Sequence, residues 1–126
     1  MIKGIGIDII EIARIKDSID KFGKNFLDRV FTDKEQQIAA ERKTYSTFYA
    51  GRWAAKEAIS KALGCGIGEQ CSFTEIEILN DSQGRPVATL SGNAAKTFAL
   101  LGANILHISI SHENKNAIAM ALLSFE

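Results

Sequence analysis

The stretch GRWAAKEAISKALG, residues 51–64, decides how this chain is read. Alanines and straight-chain residues favour a helix, and Gly64 ends it. The helix predicted from this pattern starts after Thr44 and runs to Leu63. At about 100° per residue it places Phe48, Gly51, Ala55, Ala58, Ile59, Ala62 and Leu63 on one apolar arc facing the core. Glu57 and Lys61 project to the opposite side as an i, i+4 pair with Ala50 and Ala54 for neighbours, a stripe that is charged yet low in relief. Taken alone, it reads as an exposed ion pair contributing about 0.3 to 0.5 kcal/mol. Arg52 does not suit that reading. It projects into the apolar arc, where an unpaired charge is costly, so it needs an anionic partner or an interface.

Upstream, GIGID (residues 4–8) lies in a β-branched run predicted as a strand from Ile2 to about Ile9, closed by Asp8. Alternation puts Gly4, Gly6 and Asp8 on one face and Ile5, Ile7 and Ile9 on the other. Strand glycines mark the close approach of another backbone or of a ligand. Two readings stay open: packing against a helix with Asp8 as a helix cap, or a carboxylate that meets a ligand beyond two positions without side chains. Asp8 on a strand and Glu57 on a helix gain meaning together. Two carboxylates, with phosphate oxygens and water completing the shell, are how proteins usually hold Mg²⁺, and a lysine one turn on would meet the phosphate.

Downstream, Gly64-Cys-Gly-Ile-Gly68 is either a helix terminator with a turn or a place where the chain approaches a ligand; it is not a Walker loop. In HISISHE, residues 107–113, alternation groups Leu106, Ile108 and Ile110 with His112 and sets His107, Ser109 and Ser111 on the other face. His112, at the strand's end beside a polar loop, reads either as a hydrogen-bonded surface residue or as a functional one. No serine or cysteine motif marks it as a triad base.

The rest completes an α+β pattern. A helix spans roughly Glu11 to Phe22, with Ile12, Ile15, Ile19 and Phe22 on one face and Gly23 as its cap. A short helical piece, Asn25 to Val30, precedes a capping box of Thr32 and Glu35 that opens a helix to about Lys43. Phe73 to Leu79 and Val87 to Leu90 form a hairpin about the turn Asp81–Pro86, and Ser91 caps a short helix ending near Gly102. Ile105 to Ser111 and Ala117 to Leu123 are two further strands. The sum is a single α+β domain over residues 1–126, one antiparallel or mixed sheet packed with one long and several short helices.

Composition narrows the function. The chain is 46% hydrophobic and 24% charged, and 15 basic side chains balance 15 acidic ones, which argues against a surface built for nucleic acid or an anionic membrane. Lys3, Asp8, Glu11 and Arg14 interrupt the apolar N-terminal run too often for a signal peptide or a membrane span, so a cytoplasmic protein is expected. Cys65 and Cys71 are too few and too oddly spaced for a zinc site and are expected to be free thiols.

GIGIDI at the start, F-x-x-G-R-W-A-A-K-E-A-x-x-K-A-x-G-x-G-I in the middle and S-I-S-H near the end, in this order, resemble the holo-acyl-carrier-protein synthases over nearly the whole chain. The resemblance implies a 4′-phosphopantetheinyl transferase. Such an enzyme moves the phosphopantetheine arm of coenzyme A to a serine of apo acyl carrier protein, releases adenosine 3′,5′-bisphosphate and serves fatty acid biosynthesis. It further implies that Asp8 and Glu57 ligate Mg²⁺, with Asp8, Glu57 and Lys61 as the catalytic set and Lys61 near the phosphates and arm. Arg52 and His112 would lie toward the nucleotide end of coenzyme A, Gly64, Gly66 and Ile67 along its wall, and Ser111 would also contact it. Arg14, Lys21 and Lys24 would dock the acidic carrier protein, although Asp17 and Asp20 among them weaken that patch. A homotrimer with each active site between two subunits is implied as well. The serine proton would pass to Glu57 or to a water, a choice sequence leaves open. Trp53 stands where the family often has phenylalanine, and Glu113 where a smaller residue is common, which puts negative charge near an anionic ligand. Two other functions remain open at this point: a trimeric module that binds coenzyme A or a carrier protein without transfer, and a hydrolase of the coenzyme A pyrophosphate.

Overall fold

In the computed structural model, which describes residues 1–126, the elements run β1 (Ile2–Glu11), α1 (Ile12–Phe22), α2 (Lys24–Val30), α3 (Asp33–Ala40) and α4 (Tyr45–Leu63). They continue as β2 (Ile76–Asn80), β3 (Pro86–Leu90), α5 (Gly92–Leu100), β4 (Ile105–His112) and β5 (Asn116–Ser124). The strands divide into two antiparallel sheets where the pattern suggested one: a three-stranded sheet in the order β1-β5-β4, and the hairpin β2-β3 by itself. The start of the predicted first hairpin strand is instead a 3₁₀ turn, Phe73–Glu75, closed by Ser72 and Glu75 in a second capping box.

Asp8 does not end its strand. Pairing with β5 runs from Ile2↔Ser124 through Asp8↔Ala119 to Glu11↔Asn116, so the strand continues past Ile9 and Asp8 sits within it, three residues before the extended N-cap Glu11 of α1. Gly23, at φ 57°, ends α1, and its conformation turns the chain sharply into α2. Thr32 and Glu35 form the expected capping box, but α3 stops at Ala40 instead of reaching Lys43.

The two glycines of β1 face α4. A Cβ on Gly4 would collide with the carbonyl oxygen of Ala62, and one on Gly6 with that of Ala58, so the sheet lies directly on the helix backbone. α4 also packs against β5, β4, α1 and α3, and is covered nearly all round. Ala50 and Ala54, expected beside a solvated stripe, are fully buried like Ala55, Ala58 and Ile59 of the apolar arc. Their small side chains allow neighbours to close in from every side. Between Tyr49 and Leu63 the positions that escape burial are Trp53, Glu57 and Lys61, spaced i, i+4, i+8 along one line.

Candidate functional site

The narrow stripe left open on α4 faces the seam with β1, and the glycines that bring the backbones together set Asp8 against it. Lys61 Nζ donates to Asp8 Oδ1 and to the Ile7 carbonyl oxygen, both at 3.0 Å. Asp8 retains 15% exposure and Lys61 50%. Of the readings of GIGID, the glycines do pack on a helix, Asp8 does not cap one, and that packing sets Asp8 against Lys61 and beside Glu57. Glu57 is half-buried and takes part in none of the five ion pairs of the molecule. Burial first, and then the negative charge of Asp8, push its carboxyl above the usual carboxylate range, against the opposing pull of Lys61. Two half-solvated carboxylates with a shared excess of negative charge form an oxygen-only donor set suited to a hard divalent cation. No group of three or more His, Cys, Asp or Glu side chains gathers there, so further donors would come from phosphate and water.

The loop after α4 borders this seam. Gly64 (φ 84°) and Gly66 (φ 69°) are left-handed, and the Cys65 and Gly66 N–H groups both turn back to the Ser60 carbonyl oxygen at 3.3 and 3.1 Å. Positions 64 and 66 have open space where a side chain would stand, and Ile67 packs on the core. The Ser60 hydroxyl donates to the Glu57 carbonyl oxygen at 2.7 Å, tying the loop's anchor to the turn that carries the acid.

Arg52 and His112 meet elsewhere, on a different face of α4. They line a small cavity of about 150 Å³ with Arg42, Thr44, Thr47, Phe48, Gly51 and Ile110. The Arg52 guanidinium is buried, with 7% exposure, yet it pairs with no carboxylate. Its Nη2 donates to Asn80 Oδ1 at 3.1 Å, and its Nε has no partner. Phe48 meets two cations, with the Arg52 guanidinium 4.4 Å and that of Arg42 5.2 Å from its ring centre. Burial lowers Arg52 to about 10, opposed by Glu35 and assisted by Arg42, so it stays charged at neutral pH. A buried guanidinium with an idle N–H, a second arginine and a histidine around a small cavity are chemistry that would suit an anion. Ser111 is not part of it: alternation turns it to the opposite, open face of β4.

The expected docking residues are exposed. Asp20 is occupied by Lys16 at 2.8 Å, which leaves Arg14 and Lys21 on α1 without acidic partners. Lys21 stands over Phe22, whose ring is 56% exposed. Lys24, in α2, is held by Asp28 at 2.7 Å and Gln36 at 3.1 Å. Glu113 is also occupied: one carboxylate oxygen accepts from the backbone of Lys115 and from backbone and side chain of Asn116, so it closes the β4–β5 turn.

Sequence reasoning missed Arg42, Thr44, Thr47 and Asn80. The basic Arg42-Lys43 just before α4 was the available sign for the first, while nothing local marks Asn80. It also missed the second role of Glu35. Besides capping α3, Glu35 forms a wholly buried pair with Lys56 at 2.7 Å and accepts from the Ile78 N–H at 2.8 Å.

An α+β chain whose first strand sets one acid against an acid and a lysine on a long helix defines a class, and a sequence model of that class matches residues 4–121: the chain belongs to the 4′-phosphopantetheinyl transferase superfamily. It is 46% identical over 122 residues to the holo-[acyl-carrier-protein] synthase of Ruminiclostridium cellulolyticum, covering 95% of this chain and 90% of that one. The holo-(acyl-carrier-protein) synthase of Bacillus anthracis, solved in complex with CoA (3′,5′-ADP), has a TM-score of 0.85 and 42% identity, covering 100% of this chain and 99% of that one. The synthase of Helicobacter pylori, solved in complex with coenzyme A, has a TM-score of 0.85 and 38% identity, covering 95% and 99%.

Proposed function

We propose that this chain transfers the 4′-phosphopantetheine arm of coenzyme A to a serine of apo acyl carrier protein and releases adenosine 3′,5′-bisphosphate. The observation that carries this reading is the convergence of Asp8, Glu57 and Lys61 where β1 lies on α4. The charges gathered on α4 serve a diphosphate on this account, and family membership and the coenzyme A complexes of related synthases support it. Asp8 and Glu57 would hold Mg²⁺, which when bound neutralises charge on the phosphate oxygens.

The chain's own residues do the rest. Lys61, half-exposed and tethered to Asp8, reaches the phosphate and stabilises the charge that shifts to the departing bisphosphate oxygen. The glycine-lined loop leaves room for the pantetheine arm, and the serine hydroxyl is held in line with the β-phosphorus by docking of its carrier protein. Arg52, Arg42 and His112 hold the phosphate at the nucleotide end. Arg14 and Lys21, with Lys24 at the margin, receive the acidic carrier. No helix is long and apolar enough to cross a membrane, and the proposal places the reaction in the cytoplasm.

The site is built between copies of the chain. Arg52 and Glu57 are five positions apart on α4, which turns their side chains about 140° from each other around the helix axis. One extended nucleotide cannot easily serve both on the same chain. The outer face of the three-stranded sheet, meanwhile, carries Ile5, Ile7 and Ile9 at 64%, 57% and 62% exposure beside Met120 at 39%. Such an apolar face suits association with further copies, and we assign it to a homotrimer in which one copy supplies Asp8, Glu57 and Lys61 and its neighbour Arg52 and His112.

Incubating the protein with coenzyme A, Mg²⁺ and apo carrier protein should add the mass of phosphopantetheine to the carrier, and EDTA should stop it. An unchanged carrier mass would leave a binding module. Bisphosphate released without any carrier present would mark a hydrolase.

A further inference from the structure

The Arg52 guanidinium is rich in N–H donors, yet it makes a single hydrogen bond within the chain, from Nη2 to Asn80 Oδ1 at 3.1 Å. A guanidinium has no acceptor, so the amide meets it through its oxygen. Asn80 itself stays outside the cavity that Arg52 lines with Arg42 and His112; it is half-exposed at the end of β2.

The fold holds Asn80 in place from two sides. Upstream, the Ile78 N–H donates to Glu35 at 2.8 Å, and Glu35 is locked at 2.7 Å to Lys56, which lies one turn after Arg52 on α4. β2 is thereby pinned to the stretch of helix that bears Arg52. Downstream, Asn80 pairs with Pro86 across the hairpin. The turn between them is closed by Asp81, whose carboxylate accepts from the Gln83 and Arg85 N–H groups at 2.8 and 2.9 Å and from Arg85 Nε at 3.0 Å. The same contacts use up the nearby acids: Glu35 answers Lys56, and Asp81 answers its own turn and Arg85. A neutral amide is what remains for Arg52.

We infer that Asn80 is a positioning residue for coenzyme A recognition: its amide oxygen orients the Arg52 guanidinium without neutralising it, which leaves the positive charge to the 3′-phosphate at the nucleotide end of the substrate. The inference rests on the function proposed above, which puts that phosphate in the Arg52 cavity. Arginine grips an anion with a planar fork, so the rotation of that fork decides how many N–H groups meet the phosphate oxygens. A carboxylate at position 80 would hold the fork equally well, but as an ion pair, and the phosphate would compete with it for the same charge. An aliphatic side chain there would leave the charge free and the fork unaimed. The amide supplies aim and leaves the charge available.

The test titrates coenzyme A and dephospho-coenzyme A, which lacks the 3′-phosphate, into the full chain by calorimetry with Mg²⁺ present, beside transfer kinetics on both substrates. The wild type should bind coenzyme A several-fold more tightly than dephospho-coenzyme A. Asn80→Ala should lose most of that preference through a higher Kd and KM for coenzyme A, with kcat and the constants for dephospho-coenzyme A unchanged. Asn80→Asp should lose it more completely while melting at or above the wild-type midpoint, since it gains an ion pair. Weaker substrate binding in a protein no less stable is a result that a residue merely bracing the hairpin would not give. In an Arg52→Met background neither substitution should change Kd further. A wild type with no preference between the two substrates overturns the inference. So do an Asn80→Asp variant that keeps the wild-type preference, equal rises in the constants for both substrates, and an Asn80 effect that persists without Arg52. If Asn80→Ala fails to fold, Asn80→Asp, which keeps the side-chain shape, decides. A wild type that binds with the expected preference but transfers nothing sinks the proposed function and leaves the role of Asn80 standing.

Discussion

α4 carries two lysine–carboxylate pairs of the same chemistry, and their surroundings give them opposite meanings. Lys56 and Glu35 are both at 0% exposure, whereas Lys61 and Asp8 are at 50% and 15%. Lys56 Nζ spends all three donors inside the protein, on Glu35 at 2.7 Å, the Val30 carbonyl at 2.7 Å and the Phe73 carbonyl at 3.0 Å. Glu35 answers with the Thr32 N–H, Lys56 and the Ile78 N–H. Nothing is left over, and the pair ties α2, α3, α4 and β2 together. Lys61 keeps one donor for solvent, and Asp8 and Glu57 keep lone pairs unspent. A charged pair whose hydrogen bonds are complete fixes a fold; one that is incomplete and open to water has capacity for a ligand.

The largest effect should come from the open side. Asp8→Ala or Glu57→Ala should lower transfer on the order of a thousandfold, with a thermal midpoint close to wild type, because each removes a carboxylate and no core volume. Carrier mass shift and calorimetry on the same preparations check this, and near-normal turnover in either variant would undo the distinction.

The sealed side should respond in stability. Lys56→Met leaves Glu35 charged and unpaired in the interior and should cost about 3 to 5 kcal/mol, whereas Lys61→Met should cost less than about 1 kcal/mol. Adding Glu35→Gln to Lys56→Met should recover part of the loss, since the amide oxygen still accepts the Ile78 N–H without a buried charge. Urea unfolding of the wild type and the three variants measures the comparison directly. Equal losses at Lys56 and Lys61 would contradict it.

A smaller change probes the geometry that holds the open pair together. Gly6→Ala drives a methyl into the Ala58 carbonyl, backbone against backbone, and should destabilise by about 1 to 3 kcal/mol. It should also slow transfer, because β1 can relieve the clash by lifting Asp8 away from Lys61. A variant that loses stability but transfers at the normal rate would show that Asp8 does not depend on this close approach.

The open pair was more legible in the sequence than the sealed one, for a physical reason. Strand alternation and helix period are local, so the shared face of Gly4, Gly6 and Asp8 and the line from Glu57 to Lys61 could be read before any contact was known. The capping box at Thr32 and the ends of α4 were readable for the same reason. Nothing local marks Lys56, because its partner lies 21 residues away and burial around Ala50 and Ala54 is decided by how β1, β5 and α1 close on the helix. Asp8 was misplaced at a strand end because the hydrogen bonds to β5 that carry the strand on to Glu11 are long-range. Asn80 beside Arg52 depends on how the hairpin leans on α4, which no local pattern encodes.

The smallest effect belongs to the exposed charges of α1, where neither pair reaches. Arg14 is solvated and has no acidic partner, so Arg14→Glu should leave folding unchanged. If α1 receives an acidic carrier protein, the reversal replaces attraction with repulsion at the edge of that contact. It should raise the KM for carrier several-fold, more so at low salt, where screening is weak. The KM for coenzyme A, for which we propose the β1–α4 seam and the Arg52 cavity, should not move. Equal rises in both constants would mean that Arg14 acts on the active site and not on docking, and a carrier KM insensitive to salt would remove electrostatics from the encounter altogether.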